Sequence, residues 1–324
     1  MPTRISKRRA LLLLALTGGA LTAAGIATAQ EKTVVIHGTA TPGGGFPVYG
    51  DAFAATINEM DSSLSVQPKN TKGSTENVPL LEAGKLDTGQ VTGEVTYEAV
   101  AGIGRAPSSL KILSAMYSNT GMFIVRDDSP YRTIADLRGQ PIAWGAGGSG
   151  FVVLARYAMD GLGLDINKDF QPVYLEKAAD GPAMVLDGRV AAMWGGGVGW
   201  PGFVTVAKAP GGARLIAPSA DEVKRITSKH TFIKPLTLPA GSYPGQDAPV
   251  HTVGSWAFVL ARPTLLDDVA YRLVRALHKG EAAIGKRLAA AGESTMANTV
   301  AAVPRVELLH PGTQRYLREI GLLK

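Results

Sequence analysis

Residues Thr33–Gly50 read TVVIHGTATPGGGFPVYG, and this segment carries the clearest structural pattern in the chain. Its apolar start, Thr33–His37, predicts a β-strand, and Gly38–Gly45 forms a glycine-rich turn. The apolar residues that follow recur at near-helical spacing and predict a helix. They are Phe46, Phe53, Ile57 and Met60. A strand, a glycine turn and a helix in this order are typical of an α/β unit.

The same succession returns about 105 residues further along the chain. Gln140–Trp144 predicts a strand, Gly145–Gly150 a second glycine-rich turn, and Phe151–Met159 a helix. Short apolar runs alternate with amphipathic stretches in the rest of the chain, although no sequence repeat is present. The pattern predicts an α/β protein with two similar lobes.

We expect the chain to cross between the lobes along paired extended strands, because no low-complexity linker is present. We assign residues 30–125 and about 250–324 to the first lobe, and about 126–249 to the second. Ile112–Met116 and Met122–Arg126 predict two strands before a polar turn that begins at Asp127, where we place the crossing. Val253–Leu260 predicts the strand that returns the chain to the first lobe.

Residues 1–29 have the pattern of an export signal. A basic start precedes the apolar run Ala10–Leu16, and Ala27-Thr28-Ala29 offers a small-x-small cleavage pattern. We expect cleavage near Ala29 and a periplasmic mature protein. The pair Arg8-Arg9 before the apolar run fits either a Sec or a twin-arginine signal.

Composition excludes several classes of protein. The 324 residues, 45% of them hydrophobic, can bury the cores of about two domains. The chain has no cysteine, which excludes disulfides and thiolate metal sites. The net charge of +6 falls to about +2 without residues 1–29, so we expect no nucleic-acid partner. The five histidines are isolated from one another, so we expect neither a metal site nor a cofactor.

Glycine-rich turns follow three predicted strands, after Ile36, Trp144 and Trp194. Ligands of open α/β sheets bind beyond the carboxyl ends of strands. A glycine turn lets backbone amides approach a ligand, and the following helix N-terminus adds a partial positive charge. Turns from two lobes that face one cleft would bind a carboxylate or phosphate. The alternative is that these glycines only permit tight turns.

An enzymatic alternative also exists. Gly145–Gly150 matches G-x-G-x-x-G between a strand and a helix, and Glu176 ends the next strand, as in dinucleotide-binding proteins. The chain would then be an exported NAD(P)-dependent oxidoreductase, which titration with NAD(H) would reveal. No G-x-x-x-x-G-K-[ST] phosphate loop is present, so nucleotide hydrolysis is not predicted.

Five sequence segments together resemble one family. They are GTATPGGGFPVYG (Gly38–Gly50), NTKGSTENVPLL (Asn70–Leu81), IADLRGQPIAWGAGGSG (Ile134–Gly150), LPAGSYPGQD (Leu238–Asp247) and HPGTQRYLRE (His310–Glu319). In order and content they resemble the TAXI family, the periplasmic solute-binding subunits of one branch of TRAP transporters. The resemblance implies a two-lobed periplasmic binding protein, type II-like, that is not an enzyme. It would close on an organic acid or amino acid and deliver it to a TRAP membrane permease.

The resemblance also implies ligand-binding residues in both lobes. In the first lobe these are Thr41, Gly43, Gly44, Ser74 and Asn77. In the second lobe Gly148, Ser149 and Gly150 match the G-S-G turn that faces the solute. We expect the Ser149 hydroxyl and the backbone amides of that turn to bind a carboxylate.

The sequence departs from the family pattern at several of these positions. Phe46 stands in place of an aromatic pair, Thr92 in place of a glutamine, and Phe151 in place of a threonine. With Trp194 and Trp200 nearby, these changes predict a more apolar pocket, suited to a carboxylate with an apolar or aromatic body rather than to glutamate. The aromatic residues could instead be core packing. A ligand-sensing partner of a membrane receptor kinase would need the same cleft, so that role stays an alternative to transport.

Overall fold

A computed structural model describes residues 31–324, which form ten strands and eleven α-helices. The strands are β1 (Thr33–Gly38), β2 (Leu64–Lys69), β3 (Thr88–Thr92), β4 (Lys111–Arg126), β5 (Pro141–Ala146), β6 (Gln171–Leu175), β7 (Ala192–Gly195), β8 (Ala213–Ile216), β9 (Lys234–Leu238) and β10 (Val250–Ala261). The helices are α1 (Gly45–Met60), α2 (Ser74–Glu82), α3 (Gly93–Ala101), α4 (Gly150–Gly161), α5 (Gly181–Leu186), α6 (Pro201–Ala207), α7 (Ala220–Lys229), α8 (Asp267–Lys279), α9 (Glu281–Arg287), α10 (Met296–Ala302) and α11 (Pro311–Glu319).

The predicted export signal lies outside the described residues. Among residues 31–324, no helix has both the length and the apolar character required to cross a bilayer.

The ten strands hydrogen-bond in the order β2-β1-β3-β10-β4-β7-β5-β6, with β9 paired to β10 and β8 paired to β4. In the first lobe β1 runs parallel to β2 and β3. In the second lobe β5 runs parallel to β6 and β7. The two α/β lobes are therefore joined by one continuous series of hydrogen-bonded strands. The predicted fold class is confirmed.

The long strands β4 and β10 form the hinge between the lobes. They pair with each other in antiparallel fashion, and β4 then continues from Met122 to pair with β7 and β8 of the second lobe. The two strands predicted at Ile112–Met116 and Met122–Arg126 are thus one continuous strand. At the crossing, a Cβ atom on Gly254 would lie 1.8 Å from the Asn119 carbonyl oxygen, so this contact requires glycine.

The hydrophobic core is divided in the same way. One buried cluster fills the first lobe and includes Tyr49 and Phe53. The second lobe has two clusters, one around Trp144 and Trp194 and the other around Phe203. Neighbouring residues of β4 contribute alternately to these two clusters, because successive side chains of a strand point to opposite faces of the sheet.

Both predicted strand–turn–helix units are present, as β1 followed by α1 and as β5 followed by α4. Between β4 and β5 the chain makes a single 3-10 turn, Ala135–Leu137. The Asp136 carboxylate accepts from the Thr133 amide at 2.8 Å and so fixes the start of this turn.

Candidate ligand-binding cleft

A cavity of about 50 Å³ lies between the lobes, beyond the carboxyl ends of β1, β3 and β5. It is bordered by the first and second glycine turns and by the segment that carries Trp200. Eight of the twelve residues predicted from the sequence line it: Thr41, Gly44, Phe46, Ser74, Thr92, Ser149, Gly150 and Trp200. The two lobes thus present their predicted site residues to one shared space. Whether these residues bind a ligand stays a prediction.

The N-termini of α2 and α4 meet across this cavity. The Gly148 carbonyl of the second lobe accepts hydrogen bonds from the Thr75 amide at 3.2 Å and from the Thr75 hydroxyl at 3.1 Å. The Ser149 hydroxyl caps α4 by accepting from the Phe151 amide at 3.2 Å. A Cβ atom on Gly150 would lie 2.1 Å from the Thr92 hydroxyl oxygen, so this close approach of the lobes requires glycine.

A second pair of interlobe hydrogen bonds lies at the other side of the cavity. The Thr41 hydroxyl accepts from the Ala178 amide at 3.2 Å, and the Pro42 carbonyl accepts from the Ala179 amide at 3.3 Å. Gly43 has φ +84°, and a Cβ atom there would lie 2.5 Å from the Ala179 Cβ. The first glycine turn therefore contacts the opposite lobe directly. The structure shows a closed arrangement of the two lobes.

Four helices begin at the cavity. The lining includes Gly45 at the start of α1, Ser74 at the start of α2, Thr92 just before α3, and Gly150 at the start of α4. The first amides of each helix have no partner within the helix, and each N-terminus carries about half a positive elementary charge. None of the lining residues is acidic, and Lys72 is their one basic residue. The electrostatic environment of the cavity therefore favours an anion.

The remaining walls of the cavity are apolar. They are formed by the aromatic residues Phe46, Tyr117, Phe151 and Trp200, together with several alanines. Burial raises the pKa of the Tyr117 hydroxyl well above its ordinary value, so Tyr117 is a neutral hydrogen-bonding group. Such walls fit the apolar body of a ligand whose charged end lies at the helix N-termini.

Four predicted residues do not line the cavity. Gly43 and Gly148 form the interlobe contacts described above. Asn77 is buried, and its amide donates to the carbonyls of Thr39 and Gln90, both at 2.8 Å, so it fixes the first turn against β3. Trp194 is buried in the second lobe's core, where its indole donates to the Phe151 carbonyl at 2.9 Å.

Lys72 and Tyr117 line the cavity but were not predicted. Lys72 directly precedes the turn at Gly73, so its charge beside a glycine turn was an available signal. Tyr117 lies within the apolar strand β4, where it resembles an ordinary core residue.

Glu94 is a further buried group, located behind Thr92 on the first turn of α3. Its two carboxylate oxygens have no hydrogen-bond partner among the described residues. Burial is the main reason that the pKa of this carboxyl lies above its ordinary value. Burial therefore favours the uncharged form of Glu94 over the charged one.

Comparison with known proteins agrees with this architecture. The profile of the NMT1-like family matches residues 37–321. The chain belongs to the NMT1-like family. The match spans both lobes and both strands of the hinge, so it covers the whole cavity of this NMT1-like protein.

Solved structures share the fold at low sequence identity. The periplasmic binding protein BugD matches with a TM-score of 0.55 and 14% identity, over 90% of this chain and 98% of that one. A protein from Bordetella bronchiseptica RB50 matches with a TM-score of 0.55 and 15% identity, over 89% and 98% of the two chains. An arginine-specific periplasmic binding protein of Salmonella typhimurium gives 0.50 and 15%, over 78% and 96%. The NMT1-like chain thus has the fold of periplasmic binding proteins.

Proposed function

We propose that this chain is an exported, periplasmic solute-binding receptor that captures a small organic carboxylate by closing its two lobes. The convergence of four helix N-termini on one interlobe cavity without acidic lining residues carries this proposal. Membership of the NMT1-like family and the fold of periplasmic binding proteins support it. On this proposal the protein is a binding protein and not an enzyme, and its cycle consists of binding, closure and release.

The lining also narrows the class of ligand. An amino acid carries an ammonium group, which would need an acceptor of opposite charge. No acidic side chain lines the cavity, so a carboxylate without an ammonium group fits better than glutamate. The aromatic walls favour an apolar body, and a volume of about 50 Å³ favours the short or branched members of that class. A dinucleotide is far larger than this closed cavity, which weighs against the oxidoreductase alternative.

The mechanism is ligand-dependent closure. A ligand that contacts both lobes binds the closed state more tightly than the open state and shifts the population accordingly. A shift from mostly open to mostly closed needs about 5.5 kcal/mol of differential affinity. The α2 and α4 N-termini lie on opposite lobes, so one carboxylate between them would contact both lobes only after closure.

The partner proposed for this receptor is a TRAP-type membrane permease. The five sequence segments that resemble the TAXI family support this assignment, and they lie in both lobes. A receptor kinase is the alternative partner. Genes adjacent to this one would distinguish the two, because they would encode either a multi-span permease or a kinase.

A variant pair tests the closure mechanism. In Gly150→Ala the added methyl would collide with Thr92 and Ser74 of the opposite lobe, so full closure is blocked. Gly147→Ala is the matched control, because a Cβ atom there meets nothing within 4 Å. Calorimetric titration measures the affinity of both variants for isovalerate, benzoate and glutamate.

We expect Gly150→Ala to lose at least about tenfold in carboxylate affinity through lost charge-assisted hydrogen bonds, while Gly147→Ala keeps it. Equal affinity in both variants would overturn the closure mechanism. Tighter binding of glutamate than of every apolar carboxylate would overturn the ligand class. Mass spectrometry of the solute that copurifies from the native periplasm would identify the ligand.

A further inference from the structure

A second cavity, here called the hinge groove, has a volume of about 590 Å³ and is far larger than the interlobe cavity. It is lined by one face of α3 and by part of β10. Further lining residues are Thr231, Phe232, Lys234, residues 301–305 and Leu308. Val95 of α3, Val303 and Leu308 pack in the first lobe's core cluster, whereas Phe232 and Ile233 pack in the cluster around Trp144 and Trp194 of the second lobe. The groove therefore spans both lobes beside the hinge.

The lining of the hinge groove is largely apolar and aromatic. Tyr97 of α3 stacks on Phe232 of the second lobe, with ring centroids 4.1 Å apart. Trp256 and Phe258 of β10 also line the groove. Tyr97 keeps 41% of its surface exposed despite this stack, so a large apolar surface faces the groove from both lobes. A volume of this size is typical of sites for one small molecule.

Two basic residues, Lys234 and Arg305, line the same groove, and no acidic residue does. The Lys234 ammonium donates to the Thr231 carbonyl at 2.7 Å, which leaves hydrogens for a second acceptor. Arg305 has no ion-pair partner among the described residues. A ligand for this groove therefore combines an apolar body with an anionic group.

We propose that the hinge groove binds an amphipathic carboxylate with an aliphatic chain. The chain would lie against the stacked Tyr97 and Phe232, and the carboxylate would pair with Lys234 and Arg305. A ligand held by both lobes favours the closed state, so it would also raise affinity at the interlobe cavity. The hinge groove is thus a second, effector site.

Calorimetric titration of the full mature chain with decanoate tests this proposal. Decyltrimethylammonium has the same chain length and the opposite charge, so it serves as the ligand control. Ala301→Trp fills the groove from an exposed position of α10. The double variant Lys234→Met with Arg305→Met removes the charges, and Lys208→Met is the matched control at an exposed lysine outside the groove. Thermal melts establish that each variant folds.

We expect saturable decanoate binding that weakens about tenfold or more in the double variant, through the loss of two charge-assisted hydrogen bonds. Ala301→Trp should also weaken it, and Lys208→Met and Ser149→Ala should not. Equal binding of decyltrimethylammonium, or full binding by Ala301→Trp, would overturn the assignment. Loss of decanoate binding in Ser149→Ala would place decanoate in the interlobe cavity and overturn it as well.

Amide hydrogen exchange tests the effector role separately. The Thr75 amide is hydrogen-bonded to Gly148 of the opposite lobe, so its protection reports closure. Decanoate should slow exchange at Thr75. Unchanged exchange at saturating decanoate would overturn the effector role.

Discussion

The Gly148 carbonyl oxygen accepts both the backbone amide and the side-chain hydroxyl of Thr75, at 3.2 and 3.1 Å, across the boundary between the lobes. Thr75 lies in the first turn of α2, whose amides have no partner within the helix. The second lobe therefore supplies an acceptor to a helix of the first lobe. Since this pair of bonds requires close contact of the lobes, it stabilises the closed state alone.

Replacing Thr75 with valine should favour the open state. Thr75→Val removes the hydroxyl bond and keeps the side-chain shape, at a cost of about 1 kcal/mol, or about fivefold in the ratio of closed to open protein. Small-angle X-ray scattering of the ligand-free protein measures this ratio. Thr75→Ser retains the hydroxyl and should behave like the parent. A scattering profile for Thr75→Val identical to that of Thr75→Ser would contradict the role of this bond.

Ser149→Ala should affect both stability and binding. The Ser149 hydroxyl caps α4, so its loss costs about 1 kcal/mol of unfolding free energy. It also lines the cavity, so carboxylate affinity should fall about tenfold. Denaturant titration and calorimetry measure the two effects.

Ser219→Ala is the matched control for this prediction. Ser219 caps α7 of the same lobe by accepting from the Glu222 amide at 3.4 Å, and it lies outside the cavity. It should lose comparable stability and keep its affinity. If the two variants bound carboxylates equally well, Ser149 would be a cap and nothing more.

Trp200→Ala should change the size of ligand that is accepted. The indole packs over Gly195 and Gly202 of its own lobe and reaches Gly45 of the other. It also borders a neighbouring cavity of about 60 Å³, so its removal would join the two spaces. Titration should show tighter binding of hexanoate relative to isovalerate, with Trp200→Phe intermediate. An unchanged ratio in Trp200→Ala would mean that the indole does not limit the ligand.

His37 should make the first lobe sensitive to acid. Its ring bonds Thr88 and Gln90, both at 2.9 Å, and burial lowers its pKa from 6.5 to about 3. Between these values the unfolded chain binds a proton that the folded chain does not. Stability should therefore fall as the pH decreases from 6.5 towards 3, by about 1.4 kcal/mol per pH unit.

His37→Gln tests whether His37 causes this loss of stability at low pH, because glutamine cannot titrate and can still form hydrogen bonds. Urea unfolding at several pH values between 4 and 6.5 should show a shallower slope for this variant than for the parent. His251→Gln, at an exposed histidine of β10, is the matched substitution control. Parallel slopes for His37→Gln and the parent would contradict a neutral buried ring.

Local patterns predicted much of the fold and part of the cavity. The apolar run before Gly38 and the glycines after it are short-range signals, so β1, its turn and α1 could be predicted. A short sequence pattern does not show in which direction a side chain points in the folded protein. Asn77 and Trp194 were both predicted to bind the ligand, but they point away from the cavity into buried contacts. Tyr117 reaches the cavity only because β4 crosses between the lobes, which no local pattern indicates.

The β4–β10 hinge has a consequence for the kinetics of opening and closing of the lobes. Neither strand contains proline, and their backbones stay paired through the crossing apart from two register shifts. Reopening can therefore occur by twisting an intact ladder, with no peptide group exposed and re-paired along the way. If the hinge moves in this way, we expect the rate of ligand release to depend on breaking the interlobe contacts at the rim of the cleft, Thr75 with Gly148 among them, and not on the hinge itself.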